Sequence, residues 1–194
     1  MRFDFVIVGA GSAGCALANR LSEDGRYTVA LIEAGPRDTS PWIHIPVGYF
    51  RTMGNPKMDW CYETQEDAGI ANRSIPWPRG RVLGGSSSIN GLLYVRGQAQ
   101  DYDGWAQMGC TGWSWSDVLP YFKRSETWEG VDQTGLRGKS GPLSVQNSRL
   151  TRDVVDKWVD AAVDAGYKRN PDYNGADQEG VGYFQLTMKG GRRC

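Results

Sequence analysis

The stretch Phe3–Glu33, FDFVIVGAGSAGCALANRLSEDGRYTVALIE, leaves the chain few folds to choose from. Phe5-Val6-Ile7-Val8 is an unbroken apolar run, the pattern of a strand buried on both faces of a parallel sheet. It empties directly into Gly9-Ala10-Gly11-Ser12-Ala13-Gly14, a G-x-G-x-x-G. Ala13 to Ser22 reads as a helix with small residues towards the sheet, and a second apolar run, Tyr27 to Ile32, ends on Glu33. Each part has a physical task. Gly9 permits the tight turn, Gly11 lets backbone approach a pyrophosphate, and Gly14 lets helix and strand pack closely. The pyrophosphate sits on free N–H groups at the helix N-terminus, where the dipole favours negative charge. Glu33, about twenty residues beyond the last glycine, can accept from a pair of ribose hydroxyls. Its charge would repel a 2′-phosphate but does not separate NAD from FAD. A lone glycine-rich turn is weak evidence. Strand, loop, helix, strand and acid arriving together within about thirty residues point to a dinucleotide site.

At 194 residues the chain has room for one domain, or one plus part of another. Lys+Arg and Asp+Glu both total 22, so net charge offers nothing to nucleic acid or an anionic membrane. No apolar run reaches membrane-spanning length, and Met1 leads straight into the first strand with no room for a signal peptide. Cys15, Cys61, Cys110 and Cys194 are widely spaced without a C-x-x-C pair, which points to reduced thiols in a cytoplasmic protein. Eight tryptophans and 26 glycines fit a chain wrapped around a flat aromatic ligand, or one whose tryptophans fill its core.

Ala34 to Asp59 is punctuated by Gly35-Pro36, Ser40-Pro41, Ile45-Pro46 and Asn55-Pro56, so it reads as a long loop of the lid or ligand-binding kind. It carries the single histidine, His44, a candidate general base. With no acid to orient it, a loop histidine bonded to backbone is the stronger reading. Trp60 to Thr64 suggests a short strand and Gln65 to Ser74 a polar turn. Trp77–Gly91, WPRGRVLGGSSSING, is the second informative stretch. Gly84-Gly85 followed by Ser86, Ser87 and Ser88 offers exposed N–H and hydroxyl donors to a phosphate or a ring's polar edge, and Arg79 and Arg81 can add charge to the same pyrophosphate. The alternative is a solvated Gly/Ser linker. Val82, Leu83, Ile89 and the Leu92–Val95 run argue against it.

Further on, Ser114 and Asp117 have the spacing of a helix cap, with Pro120 placing the helix start nearer Ser116 or kinking it. Gly130 to Gly141 reads as a surface loop and a passage between domains. Pro142 to Val145 suggests a short strand, and Thr151 to Ala165 an amphipathic helix whose Val154, Val155, Trp158, Val159, Ala162 and Val163 stripe faces a core. Val181 to Thr187 reads as another strand, with Tyr183 and Phe184 used for packing in preference to a substrate pocket.

Gly80-Arg81-Val82-Leu83-Gly84-Gly85-Ser86-Ser87-Ser88-Ile89-Asn90, followed by Tyr94, Gly97 and Asp103, resembles the first signature of the glucose-methanol-choline (GMC) oxidoreductases. Asp59-Trp60-Cys61-Tyr62, Tyr102-Asp103-Gly104-Trp105, Gly112–Trp115, Val118–Phe122 and Asn170–Gly175 are similar to the choline-dehydrogenase-like branch, so the resemblance covers the whole chain as an N-terminal part. It implies an α/β fold: an FAD-binding Rossmann-like parallel sheet with helices, incomplete, over 1–140, with the long loop at 34–59 and the signature at 80–103. The start of an α+β substrate domain would follow over 141–194. It implies FAD, not NAD. Carried over by position, Gly9, Gly11 and Gly14 would hold the pyrophosphate and Glu33 the adenosine ribose, while Val82 and the backbone of Asn90, Gly91, Leu92 and Leu93 would line the flavin. Ser12, Ala34, Arg81, Gly84, Gly85 and Ser86 complete the implied cofactor-binding set. Some members attach the flavin through a histidine in this loop; Ile89 stands at that position, which implies non-covalent FAD.

In the family, a histidine with a second His or Asn beside it deprotonates the alcohol, and both this pair and the second signature lie beyond the residues present here. No catalytic residue and no metal site is therefore expected in the chain. The resemblance implies the N-terminal portion of an FAD-dependent alcohol dehydrogenase or oxidase, truncated at Cys194 and inactive alone, that passes hydride from a primary alcohol, choline-like or other, to flavin N5. A stand-alone, non-catalytic FAD- or ADP-binding module is the alternative, with an NAD-dependent Rossmann dehydrogenase behind it. The alcohol, the electron acceptor and the oligomeric state stay open, as does a peripheral inner-membrane location for the parent enzyme. An exposed apolar face on a half-built sheet would favour the fragment reading.

Overall fold

The computed structural model describes residues 1–194, which fall into two compact units: Met1–Leu92 with Gly191–Arg193, and Leu93–Gly190 with Cys194. In the first unit β1 (Phe5–Val8) and β2 (Val29–Ile32) pair in parallel, Phe5 opposite Val29 and Val8 opposite Ile32, joined by α1 (Ser12–Ser22). This is the expected βαβ unit. Its burial is not as expected. The sheet has two strands, and of β1 only Ile7 is buried, while Val6 and Val8 are 58% and 84% exposed. One helix and one neighbouring strand cannot cover both faces and both edges of an apolar strand.

The 34–59 segment is more ordered than a lid. It holds two short helices, α2 (Pro41–His44) and α3 (Tyr49–Thr52), separated by a 3-10 turn at Pro46–Gly48. Proline opens α2 at a position whose N–H has no partner in a helix anyway. Ile43 and Met58 from this segment close a core with Val82 and Ile89 of the second glycine-rich stretch. A hairpin of β3 (Tyr62–Glu63) and β4 (Pro76–Trp77) spans the polar turn between them.

The second unit is built on a four-stranded sheet in the order β5 (Leu93–Tyr94), β8 (Gln185–Leu186), β7 (Leu143–Asn147), β6 (Glu126–Trp128). β6 and β7 are parallel; the other pairs are antiparallel. The compact units divide at 92/93. The reason is a buried charge network that ties 93–140 to 141–190. Glu126 on β6 accepts from Arg96 and Arg137, Arg137 reaches on to Asp172 and Gln185, and Asn174 bridges Gln185 and the Arg96 backbone. Arg137, inside the expected 130–141 surface loop, is almost fully buried, stacked 4.1 Å from the Trp128 ring centre.

Helix α4 (Ala99–Gln107) packs beside α5 (Trp115–Ser125). The Ser114/Asp117 capping box forms as read, and it starts α5 at Trp115 with Pro120 inside. Helix α6 (Asp153–Asp164) also forms, but its apolar stripe is largely bare: Val159 is buried, whereas Val154 and Trp158 are 73% and 64% exposed. The expected 181–187 strand shrinks to β8, with Val181 held in an isolated bridge to Arg169. Tyr183 donates to the Asp156 carboxylate of α6.

Candidate functional site

The two glycine-rich stretches, some seventy residues apart in sequence, meet backbone to backbone in the first unit. Gly84 N–H donates to the Ala10 carbonyl at 2.8 Å, and Gly11 and Gly84 form a parallel bridge. Gly9 turns the chain out of β1 at φ +95°, its N–H on the Ile32 carbonyl at 2.7 Å. A Cβ on Gly14 would lie 1.9 Å from the Gly9 carbonyl oxygen, so helix and turn approach as closely as the fingerprint requires. A Cβ on Gly85 would press on Gly11 Cα at 2.9 Å, and one on Gly35 would collide with the Arg81 carbonyl. Around Gly11 the opposite holds: a Cβ there would meet nothing within 4 Å. The packing therefore leaves an open cradle at the mouth of α1. No side chain caps that helix and its first turn has no acid, so its N–H groups are available to an anion. Ser12, in that first turn, is exposed.

Glu33 is already engaged. Its carboxylate accepts from Ala10 N–H at 2.8 Å and from Gly35 N–H at 2.9 Å, tying the first glycine loop to the turn after β2. Each oxygen retains a second lone pair, so ribose hydroxyls can still be received. Ala34 is exposed next to it. Arg81 packs 5.4 Å from the Trp60 ring centre, and its buried Nε has no hydrogen-bond partner. Such a buried orphan donor is the mark of a missing acceptor. The open cradle, the uncapped helix and this donor fit a dinucleotide diphosphate.

Other members of the expected set behave differently. The Val82 side chain is fully buried in the core, which leaves only its backbone for a ligand. Of the three serines, Ser87 and Ser88 donate inward, to the Gly84 and Leu83 carbonyls. Ser86 accepts from Gly80 N–H and keeps its own proton free. Asn90 is exposed, Leu92 is buried at φ +66°, and Leu93 already belongs to the second unit. Ile89, where a covalent histidine would stand, is a core residue. His44 ends α2 and not a loop, but it is bonded to backbone as expected: its Nε2 lies 2.7 Å from the Asp38 carbonyl oxygen, which can only accept, so Nε2 carries the proton. Asp38 also brings a carboxylate oxygen to 3.8 Å, an acid that the sequence reading did not find.

Three contributors carry no role in the sequence reading. Asp59, buried under the second loop, accepts from the Gly54, Cys61 and Arg79 N–H groups at 2.7, 2.9 and 2.9 Å. Burial pushes its carboxyl up, but the three backbone donors outweigh burial and hold it below the usual carboxylate value. Arg193 reaches the second loop from the far end of the chain. Met58 completes the core below it. The tryptophans do not ring this site as a group. Trp105, Trp113 and Trp115 join Tyr102 and Phe122 in an aromatic cluster of the second unit.

The family model of the GMC oxidoreductases matches residues 3–194. An oxygen-dependent choline dehydrogenase of Brucella anthropi is 49% identical over 193 residues, covering 100% of this chain and 35% of the relative. The crystal structure of pyridoxine 4-oxidase from Mesorbium loti superposes with a TM-score of 0.92 at 36% identity, over 99% of this chain and 38% of that one. An FAD-dependent oxidoreductase from Chaetomium thermophilum does so with a TM-score of 0.86 at 33% identity, over 97% and 34%. The chain thus spans about a third of the length of the curated relatives it matches.

Proposed function

This chain belongs to the GMC oxidoreductase family, whose cofactor is FAD, and we propose that it is the part of an FAD-dependent alcohol oxidoreductase that holds the adenine-nucleotide half of the cofactor and one wall of the flavin. The observation that carries the proposal is the contact of the two glycine loops, Gly84 N–H on the Ala10 carbonyl, which builds one cradle from two distant motifs. In this reading Gly9, Gly11, Ser12 and Gly14 receive the diphosphate. Arg81 gives its orphan donor to the same group, Glu33 orients the ribose, and the backbone of Asn90 to Leu93 faces the flavin. FAD, when bound, supplies the hydride acceptor for the oxidation of a primary alcohol, and the names of the relatives favour a choline-like one. The cofactor is held without a covalent bond, since Ile89 offers no nucleophile. In this reading no residue of the chain is assigned as the alcohol-activating base, and His44 donates its Nε2–H to the Asp38 carbonyl.

The test is to purify the chain with excess FAD, record its visible spectrum, and assay dye reduction with a panel of primary alcohols including choline. Bound flavin without turnover is the expected result, with Gly14→Ala losing the flavin because its Cβ cannot be accommodated. A wild-type chain that takes up no FAD would sink the cofactor assignment. Turnover would overturn the absence of a base and make His44 the first residue to replace.

A further inference from the structure

Buried arginines of the second unit are matched by acids, Arg96 and Arg137 by Glu126 and Asp172. In the first unit the half-buried Arg193 is not. Its guanidinium makes four hydrogen bonds, all to neutral acceptors: Nε to the Ile43 carbonyl at 2.8 Å, Nη1 to the Ser87 carbonyl at 2.8 Å and to Asn90 Oδ1 at 2.6 Å, and Nη2 to the Asn90 carbonyl at 2.7 Å. One planar fork therefore holds the end of α2 and both the backbone and side chain of the turn after the serines. A lysine ammonium, whose three donors share one nitrogen on a flexible stem, cannot reproduce that geometry.

The bond to Asn90 Oδ1 links Arg193 to Leu92. The same oxygen accepts from Leu92 N–H at 3.0 Å. Leu92 stands in the left-handed region at φ +66°, a conformation that places a Cβ-bearing residue under strain. Strain of this kind persists only where surrounding contacts over-determine it, and it concentrates where a ligand is received. Arg193 orients Asn90, and Asn90 holds Leu92.

We propose that Arg193 is a positioning residue which locks the Ser87–Leu92 turn in its strained conformation and so presents the Asn90–Leu92 backbone to the flavin. The assignment rests on the reading of that backbone as a flavin wall. The arginine acts through Asn90.

The experiment compares the wild-type chain with Arg193→Lys and Arg193→Ala, first by amide hydrogen exchange without FAD. FAD titration and the absorption spectrum of the bound flavin follow. In Arg193→Ala the amides of Asn90 to Leu92 should exchange about tenfold faster or more, while those of β1 and β2 stay unchanged. FAD should bind about tenfold more weakly, with its visible bands shifted from the wild-type positions. Arg193→Lys, which keeps the charge and is the variant more certain to fold, should reproduce most of both effects. Unchanged exchange at Asn90 to Leu92 overturns the lock, as does an equal rise at β1 and β2. Faster exchange with unaltered FAD affinity and spectrum overturns the positioning role. A wild-type chain that binds no FAD overturns the reading on which the assignment rests, and the cofactor-free exchange data distinguish that failure from failure of the lock.

Discussion

Asp59 shows how a single side chain supports the cofactor loops without touching a cofactor. Its three backbone donors come from three segments, at Gly54, Cys61 and Arg79, so one buried carboxylate fastens the 34–59 segment to the start of the second motif. Because these donors hold the folded-state carboxyl below the ordinary 3.8, ionised Asp59 contributes stability that is complete above that value. The contribution is lost as pH falls through the lower folded-state value. Asp59→Asn keeps one acceptor oxygen and loses the Gly54 contact, at a cost of about 1–2 kcal/mol near neutral pH. Urea unfolding of both proteins across the acid range should show the wild-type advantage shrinking below about pH 4. A gap that stays constant with pH would show that the charge is not the source.

At the scale of elements, α6 separates helix formation from helix burial. Its 3.6-residue pattern is sufficient for the helix, and the acids Asp153 and Asp156 in its first turn suit the dipole. Val159 alone of the stripe is fully buried, with Ala162 half-buried, so the stripe makes a narrow contact and not a broad core face. Val159→Ala should therefore cost about 1–2 kcal/mol. Trp158→Ala, the larger deletion, should cost less than about 0.5 kcal/mol. Urea midpoints of the two variants decide the matter, and a larger loss at Trp158 would mean that the exposed face is covered in solution. The β1–β2 pair makes the same point from the other side, for its register follows the fingerprint while its apolar residues stay exposed.

Across the whole molecule the accessible surface is 13151 Å² for 21.5 kDa. Two separate compact domains of half that mass would together expose only about 11000 Å², so the excess lies within the units themselves and much of it is apolar. Phe5, Val6, Val8, Leu31 and Ile32 line such a surface on β1 and β2. Unpaired, apolar strand edges associate. Light scattering of the isolated chain should rise steeply with concentration, and Val6→Lys with Val8→Lys should suppress it without lowering the urea midpoint. Scattering that is unaffected by both lysines would place the sticky surface elsewhere.

What was legible in the sequence was local. Gly9, Gly11 and Gly14 announced a βαβ turn, Ser114 and Asp117 a helix cap, and the 80–91 stretch a second loop with its own signature, because each depends on backbone freedom or hydrogen-bonding groups a few residues apart. Comparison of that stretch with known families also identified FAD chemistry. Only the tertiary structure decided that the two glycine loops meet at Gly11 and Gly84, that Glu33 is tied to Ala10 and Gly35, and that Arg193 grips Asn90 from a hundred residues away. It also placed the unit boundary at 92/93, where Arg96 and Arg137, paired with Glu126, are bound to Asp172, Asn174 and Gln185 in the interior of the second unit. Charge pairing and burial are sums over neighbours that are distant in sequence, and no local pattern of residues encodes them.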